Sequence, residues 1–229
     1  MQTVQLYSAF DPSSVNFSGL EKNKKGGKVV FVSIPDAAAT GRQRLTIQTP
    51  TVAIPFGVSP YQEATTGEIQ SYSVDMSFRG SDTDPRISEF LAKMRAFDDV
   101  LLDTAVANSK EWFGKQMSKE ILSEFYRKLV KDPANPKYPP VMKAKVQLNN
   151  GQPTAMFFDE SRQPQTIDYL EKGSTVKMIL EVDRIWFVNK NFGVTWRLLQ
   201  AAVCSKPHRL EGYGFQEEAD GLEDVAEEF

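Results

Sequence analysis

The sequence predicts a mainly β domain with a helical insertion, an OB-fold-like barrel followed by a disordered acidic C-terminal tail. Three observations predict it. Apolar residues alternate with polar ones in runs on both sides of the chain's middle. Helical spacing is confined to about residues 84–131, and acids without bases fill the stretch beyond Arg209. Strands, then helices, then strands is the order of a single layered β domain. A length of 229 residues suits one generous core rather than two. An OB barrel accepts a helix between its third and fourth strands. A sandwich is the structural rival, because periodicity alone does not separate the two.

Residues 1–27 read as a polar N-terminal segment ending in "LEKNKKGGK", without apolar periodicity. The barrel domain then spans 28–209. "KVVFVSI" (28–34) is β-branched and aromatic, the composition of a buried strand. "RLTIQT" (44–49) alternates, and "PTVAIPFGVSPY" (50–61) holds three prolines, which restricts it to an edge strand or a structured loop. In "IQSYSVDMSFRG" (69–80), Tyr72, Val74, Met76 and Phe78 share one face.

The period then lengthens. Asp84 before Pro85 is an N-cap followed by proline at the first helical position. Ile87, Phe90, Leu91, Met94, Phe97 and Leu101 follow at helical spacing. A second helix is predicted over about 110–131, with Phe113, Met117, Ile121, Phe125 and Leu129 four apart, and "KDPANPKYPP" ends it. "PVMKAKVQL" (140–148) returns to alternation and puts Lys143 and Lys145 on one solvent face. After the turn "NNG", "PTAMFF" (153–158) reads as a return strand. Two long strands, 174–188 and 192–203, joined by "NKN", close the domain. "GYG" (212–214) is the expected hinge to a flexible tail over 210–229.

Charge is distributed unevenly. All 27 Lys and Arg lie at or before Arg209, while eight of the 30 acids lie after it. The first 209 residues therefore carry +5 and the whole chain −3. Each part is an electrostatic partner for the other. One cysteine, Cys204, precludes an intrachain disulfide and makes a reducing intracellular compartment the expectation. No signal peptide opens the sequence, and no stretch approaches the roughly 18 apolar residues of a membrane helix.

Enzymatic chemistry is poorly supplied, and no catalytic, metal or cofactor residues are expected. A zinc site needs several Cys and His ligands at set spacings; only Cys204 and His208 are present. "NKKGGK" lacks the spacing of a phosphate-binding loop. A two-metal site needs carboxylates held rigidly together; the run of acids in the tail is expected to be flexible. Glu181 and Asp183 share a strand face and are expected to balance neighbouring lysines.

Binding is better supplied. Lys177, Arg184, Trp186, Phe187, Lys190, Phe192, Trp196 and Arg197 interleave bases with aromatics in the C-terminal hairpin, and Lys143 with Lys145 adds a basic face. Single-stranded nucleic acid is held by such a pairing, because phosphates follow the cations and bases stack on the rings. An OB fold presents one face and its loops to oligonucleotides. Trp186, Phe187 and Trp196 suit a core as well as a stacking platform; Phe192, in the hairpin loop beside Lys190, is the aromatic expected to be exposed. The acidic run with Glu223, Asp224, Glu227, Glu228 and Phe229 has the composition of an interaction tail.

The strand–helix–strand order, the block "RIWFVNKNFGVTWRLLQAAV" (184–203) and the acidic tail ending on Phe229 resemble the single-stranded-DNA-binding proteins of the bacteriophage T7 type, in particular their relatives in large DNA viruses of algae and amoebae. The insertion at 84–131 departs from that pattern, which has a single helix. The resemblance implies an OB-fold that coats single-stranded DNA during viral replication, recombination and repair. It implies a tail that competes with DNA, binds replication partners such as the DNA polymerase and helicase-primase, and supports a homodimer. The alternative is a structural or scaffold-type interaction protein whose acidic tail binds a basic partner.

Overall fold

Hydrogen bonding closes five strands of the chain into a barrel. The computed structural model describes residues 4–23, 26–35, 43–182, 184–208, 210 and 212–215. The elements used below are β1 (Lys28–Ser33), β2 (Leu45–Gln48), β3 (Val52–Ala53), β4 (Val58–Gln62), β5 (Ile69–Ser77), α1 (Pro85–Ala107), α2 (Ser109–Phe113), α3 (Lys119–Phe125), β6 (Val130–Lys131), β7 (Val141–Asn149), β8 (Met156–Phe158), β9 (Thr175–Val182), β10 (Arg184–Val188), β11 (Asn191–Val194) and β12 (Trp196–Ser205).

β2 and β3 act as one bent strand against β9; β3 then pairs β5, β5 pairs β7, β7 pairs β12, and β12 returns to β9. Counting β2–β3 as the first strand, the order is 1-2-3-5-4-1, with the third and fifth parallel. That is an OB-type barrel, and its closure removes the sandwich alternative. Period-2 alternation builds the interior. In β7, Met142, Ala144 and Val146 are buried while Lys143, Lys145 and Gln147 face out.

The helices enter between the second and third barrel strands, not between the third and fourth as expected. Asp84 caps α1 by accepting the Arg86 backbone N–H at 2.9 Å, and Pro85 occupies the first position, where no donor is needed. Phe90, Met94, Phe97 and Leu101 then turn one face inward. Phe97 meets Trp196 edge-on at 6.1 Å and Phe90 meets Phe78 at 5.5 Å, so the helix packs directly on barrel residues. Each such side chain contributes roughly 1.5–3 kcal/mol by leaving water.

Three further expectations are corrected. The second helix is two short ones, because Gly114 adopts φ 81° and ends α2; Ile121 is consequently half exposed rather than buried. Met156–Phe158 does not return along β7; it pairs in parallel with β12. The two long C-terminal strands each divide. β9 and β12 stay in the barrel, while β10 and β11 leave it as a hairpin that joins β1 in a second sheet.

The leading segment also belongs to the packed structure. Phe10 and Val15 are buried, Phe10 stands edge-on to Phe97 at 5.6 Å, and Gln5–Leu6 pairs in parallel with Ile47–Gln48. Its apolar residues are too sparse to form a period, so burial there comes from tertiary contact alone.

Candidate nucleic-acid interface

Strand register assembles a basic row across the outside of the barrel. Ser73 of β5 stands opposite Lys145 of β7, Lys145 opposite Arg197 of β12, and Arg197 opposite Glu181 of β9. Neighbouring strands lie about 4.8 Å apart, so these groups form one continuous line. Lys143 lies two residues from Lys145 on the same face, 3.6 Å from Asp75. Glu181 is almost fully buried; Arg44 bonds its carboxylate at 3.1 Å, and Arg197 bonds the same oxygen while its other nitrogen reaches Gln147 at 3.1 Å. The buried carboxylate thus fixes the guanidinium of Arg197 beside Lys145. Arg44 and Arg197, rather than the expected lysines, balance Glu181. Asp183 lies outside the described residues.

One wall of the groove is the β10–β11 hairpin. Trp186 is half-buried, and its Nε1–H donates to Thr195 Oγ1 at 3.1 Å, which orients the indole along the wall. Gly193 lies opposite it, and a Cβ there would stand 3.2 Å from the Trp186 ring and 3.1 Å from the Arg127 carbonyl oxygen. The close approach that glycine permits brings the segment after α3 against the hairpin. Arg127 N–H donates to the Phe192 carbonyl at 2.9 Å. Arg184 lies with its guanidinium 5.5 Å from the centre of the Phe31 ring.

The segment 126–131 supplies the other wall, and a buried carboxylate holds it. Asp98 of α1 accepts hydrogen bonds from the Tyr126 hydroxyl at 2.6 Å, from Leu129 N–H at 2.9 Å and from Val130 N–H at 3.3 Å. Burial raises the Asp98 pKa above the ordinary carboxylate value, opposed by those three bonds and by Lys128. Burial and the adjoining carboxylate also raise the Tyr126 hydroxyl. The clamp presents Arg127, Lys128 and Lys131 to the groove.

Three adjoining depressions make up this groove. One of about 350 Å³ is lined by Lys145, Glu181, Arg184, Trp186 and Arg197. The next, of about 390 Å³, runs past Lys143, Lys128 and Lys131 to Tyr61 and Tyr72. A shallower one continues over Arg127 to Val188 and Asn191. Trp186 and Thr195 line all three. Tyr61, on the edge strand β4, is 65% exposed. The groove thus crosses the second and third barrel strands and extends onto the fourth and fifth, flanked by the 1–2 and 4–5 connections; OB folds hold oligonucleotides by the strand 2–3 face and those two connections.

Of the residues expected from sequence, the structure brings Lys143, Lys145, Arg184, Trp186 and Arg197 together here. Four lie elsewhere. Trp196 and Phe192 are fully buried: Trp196 starts β12 inside the barrel, and Phe192 packs on Phe113 and Tyr126, both at 5.2 Å. The exposure expected of Phe192 is therefore corrected, since the hairpin turn is formed by Asn189 and Lys190 alone. Phe187 and Lys190 occupy the hairpin's other face. Lys177 lies in a separate depression with Asp159, Glu160 and Arg162. Glu223, Asp224, Glu227, Glu228 and Phe229 lie outside the described residues. Sequence reasoning missed Arg127, Lys128, Lys131, Tyr61 and Tyr72; the run "YRKLVK" was the available signal for the first three.

Among the described residues no group of three or more His, Cys, Asp or Glu could hold a metal ion, and no helix is long and apolar enough to cross a membrane.

Comparison with solved structures gives a likeness to the single-stranded DNA-binding protein from bacteriophage Enc34. Identity is 13% and the TM-score 0.44, over 90% of this chain and 98% of that one. The same phage protein in complex with single-stranded DNA gives 14% and 0.41, over 86% and 98%. The single-stranded DNA-binding protein gp2.5 of bacteriophage T7, the type named from the sequence, gives 11% and 0.46, over 75% and 98%. No curated protein matches the chain in sequence. A family model described as a family of unknown function (DUF5871) matches residues 86–216, from the start of α1 to beyond β12, and the chain belongs to that family.

Proposed function

We propose that this protein binds single-stranded DNA without sequence preference, during viral DNA replication, recombination or repair, and that it is not an enzyme. One observation carries the reading: a single groove combines the cations of β7, β12 and the 126–131 segment with the partly exposed rings of Trp186, Tyr61 and Tyr72. Phosphates pair with the cations, and bases stack on rings that accept any base. A duplex keeps its bases stacked inside and offers none to Trp186.

In the same proposal, the acidic residues after Arg209 compete with DNA for the groove, which screens out weak binding. Once displaced, Glu223, Asp224, Glu227, Glu228 and Phe229 recruit replication proteins such as the polymerase and helicase-primase, and support a homodimer. Two features support this part: the +5 charge of residues 1–209 against eight acids beyond them, and the exposed Leu210, Tyr213 and Phe215 leading into the acidic run.

The test is a salt titration of binding to an oligo(dT) of about 30 nucleotides, comparing the full chain with one stopped after Arg209. Tighter binding and a steeper log–log slope in the shortened chain are expected. Equal curves exclude the competition, and absence of binding by either chain at low salt excludes the function.

A further inference from the structure

The β10–β11 hairpin has a second face that the groove does not use. Successive side chains of a strand point to opposite sides, so Phe187 turns away from the groove that Trp186 lines. It faces a depression of about 420 Å³ whose walls are Phe113, Phe125 and Met117, with Trp112 beneath. Phe113 and Phe187 stand edge-on at 5.7 Å. Lys28, Lys115 and Lys190 line the depression, and no carboxylate does so among the described residues. The Lys28 ammonium is pinned by the Trp112 carbonyl at 2.9 Å, while Lys115 and Lys190 are exposed.

We infer that this depression is a second nucleotide subsite, which takes a base of the same single strand after the strand crosses the hairpin tip. The inference rests on the groove reading above. Aromatic walls beside cations are the combination that holds unpaired bases and their phosphates. The two sites are also continuous: Asn191 lines both this depression and the shallow end of the groove, next to Arg127. A strand leaving Trp186 therefore meets the tip and then the lysines, without crossing an acidic surface among the described lining residues. An acidic peptide with an apolar anchor is the competing occupant; continuity with the groove favours the nucleic acid.

The experiment compares oligo(dT) of about 6 nucleotides, enough for the groove, with about 20 nucleotides, enough for both sites. Proteins are the full chain, K115E, K115E/K190E and K143A/K145A. The expected result is unchanged affinity of K115E/K190E for the short oligonucleotide and weaker binding of the long one. Its salt slope on the long one should fall by about 1.4, at about 0.7 for each lost phosphate contact. Wild-type binding of both lengths by K115E/K190E, while K143A/K145A loses affinity, overturns the subsite and spares the groove. Wild-type binding by K143A/K145A as well removes the groove reading and this inference with it. A synthetic peptide of residues 216–229 serves as the competitor probe. If it binds the wild-type chain and not K115E/K190E, with DNA binding unaffected at both lengths, the depression seats an acidic peptide and the inference is overturned.

Discussion

The indole N–H of Trp186, on β10, donates at 3.1 Å to the hydroxyl of Thr195, the residue that follows β11. The contact costs the ring its freedom before any ligand arrives, which is how a stacking platform lowers the entropy cost of binding. Thr195→Val keeps the shape and removes the acceptor. With the ordering of one side chain on binding costing about 0.5–1.5 kcal/mol, affinity for oligo(dT) should fall about twofold to tenfold, while the lost bond lowers folding stability by about 0.5–1.5 kcal/mol. Fluorescence titration and thermal melts check this together.

Lys143 and Lys145 are exposed on β7, and substituting them leaves the barrel interior intact. K143A/K145A should reduce the salt slope of oligonucleotide binding by about 1.4, at about 0.7 per phosphate contact on a single strand. The loss should be the same for every base composition tested, since phosphates carry no sequence information.

Phe192 belongs to the core, and its substitution is a stability experiment rather than a binding one. Removing a ring packed on Phe113 and Tyr126 leaves a cavity. Phe192→Ala should cost about 3–5 kcal/mol. Denaturant unfolding measures it. A variant that is fully stable yet weak in DNA binding would restore Phe192 to the surface.

Asp98 links stability to pH. Its folded pKa is raised by burial, so its ionised form is the costly one in the native state. The sign follows: the site contributes most below the usual carboxylate value, and that stability is lost as pH rises through the raised folded value. The difference in stability between wild type and Asp98→Asn should therefore favour wild type most at low pH and shrink as pH rises. Asp98→Ala leaves the Tyr126 hydroxyl and two backbone N–H groups without their acceptor, at about 1–3 kcal/mol for each group so stranded. It should also weaken oligonucleotide binding, by releasing Arg127, Lys128 and Lys131. Melts across a pH series, with binding measured beside them, test both statements.

Local patterns explain what was legible in the sequence. The alternation of β5 and β7, the cap at Asp84–Pro85 and the outward pair Lys143 and Lys145 are properties of adjacent residues, and all are present in the structure. Where long-range contacts decide, the sequence was silent or misleading. The strand read as 174–188 divides because its second half pairs β1 rather than a barrel strand. Phe192 reads as a loop residue, and the packing of Tyr126, Phe113 and Phe187 on it is what buries it. Arg127 and Lys131 reach the groove because a carboxylate about 30 residues earlier holds the backbone of Leu129 and Val130 between them, and nothing in a one-dimensional pattern records that bond.

The most direct test of the central claim is quenching of intrinsic tryptophan fluorescence by poly(dT). Trp112 and Trp196 are buried, and Trp186 alone of the three is partly exposed on the groove. Poly(dT) should quench the wild-type chain, and Trp186→Phe should abolish most of that quenching while retaining measurable binding. A duplex of equal length should quench weakly. Binding without any quenching, or quenching that persists unchanged in Trp186→Phe, would contradict the placement of single-stranded DNA in this groove.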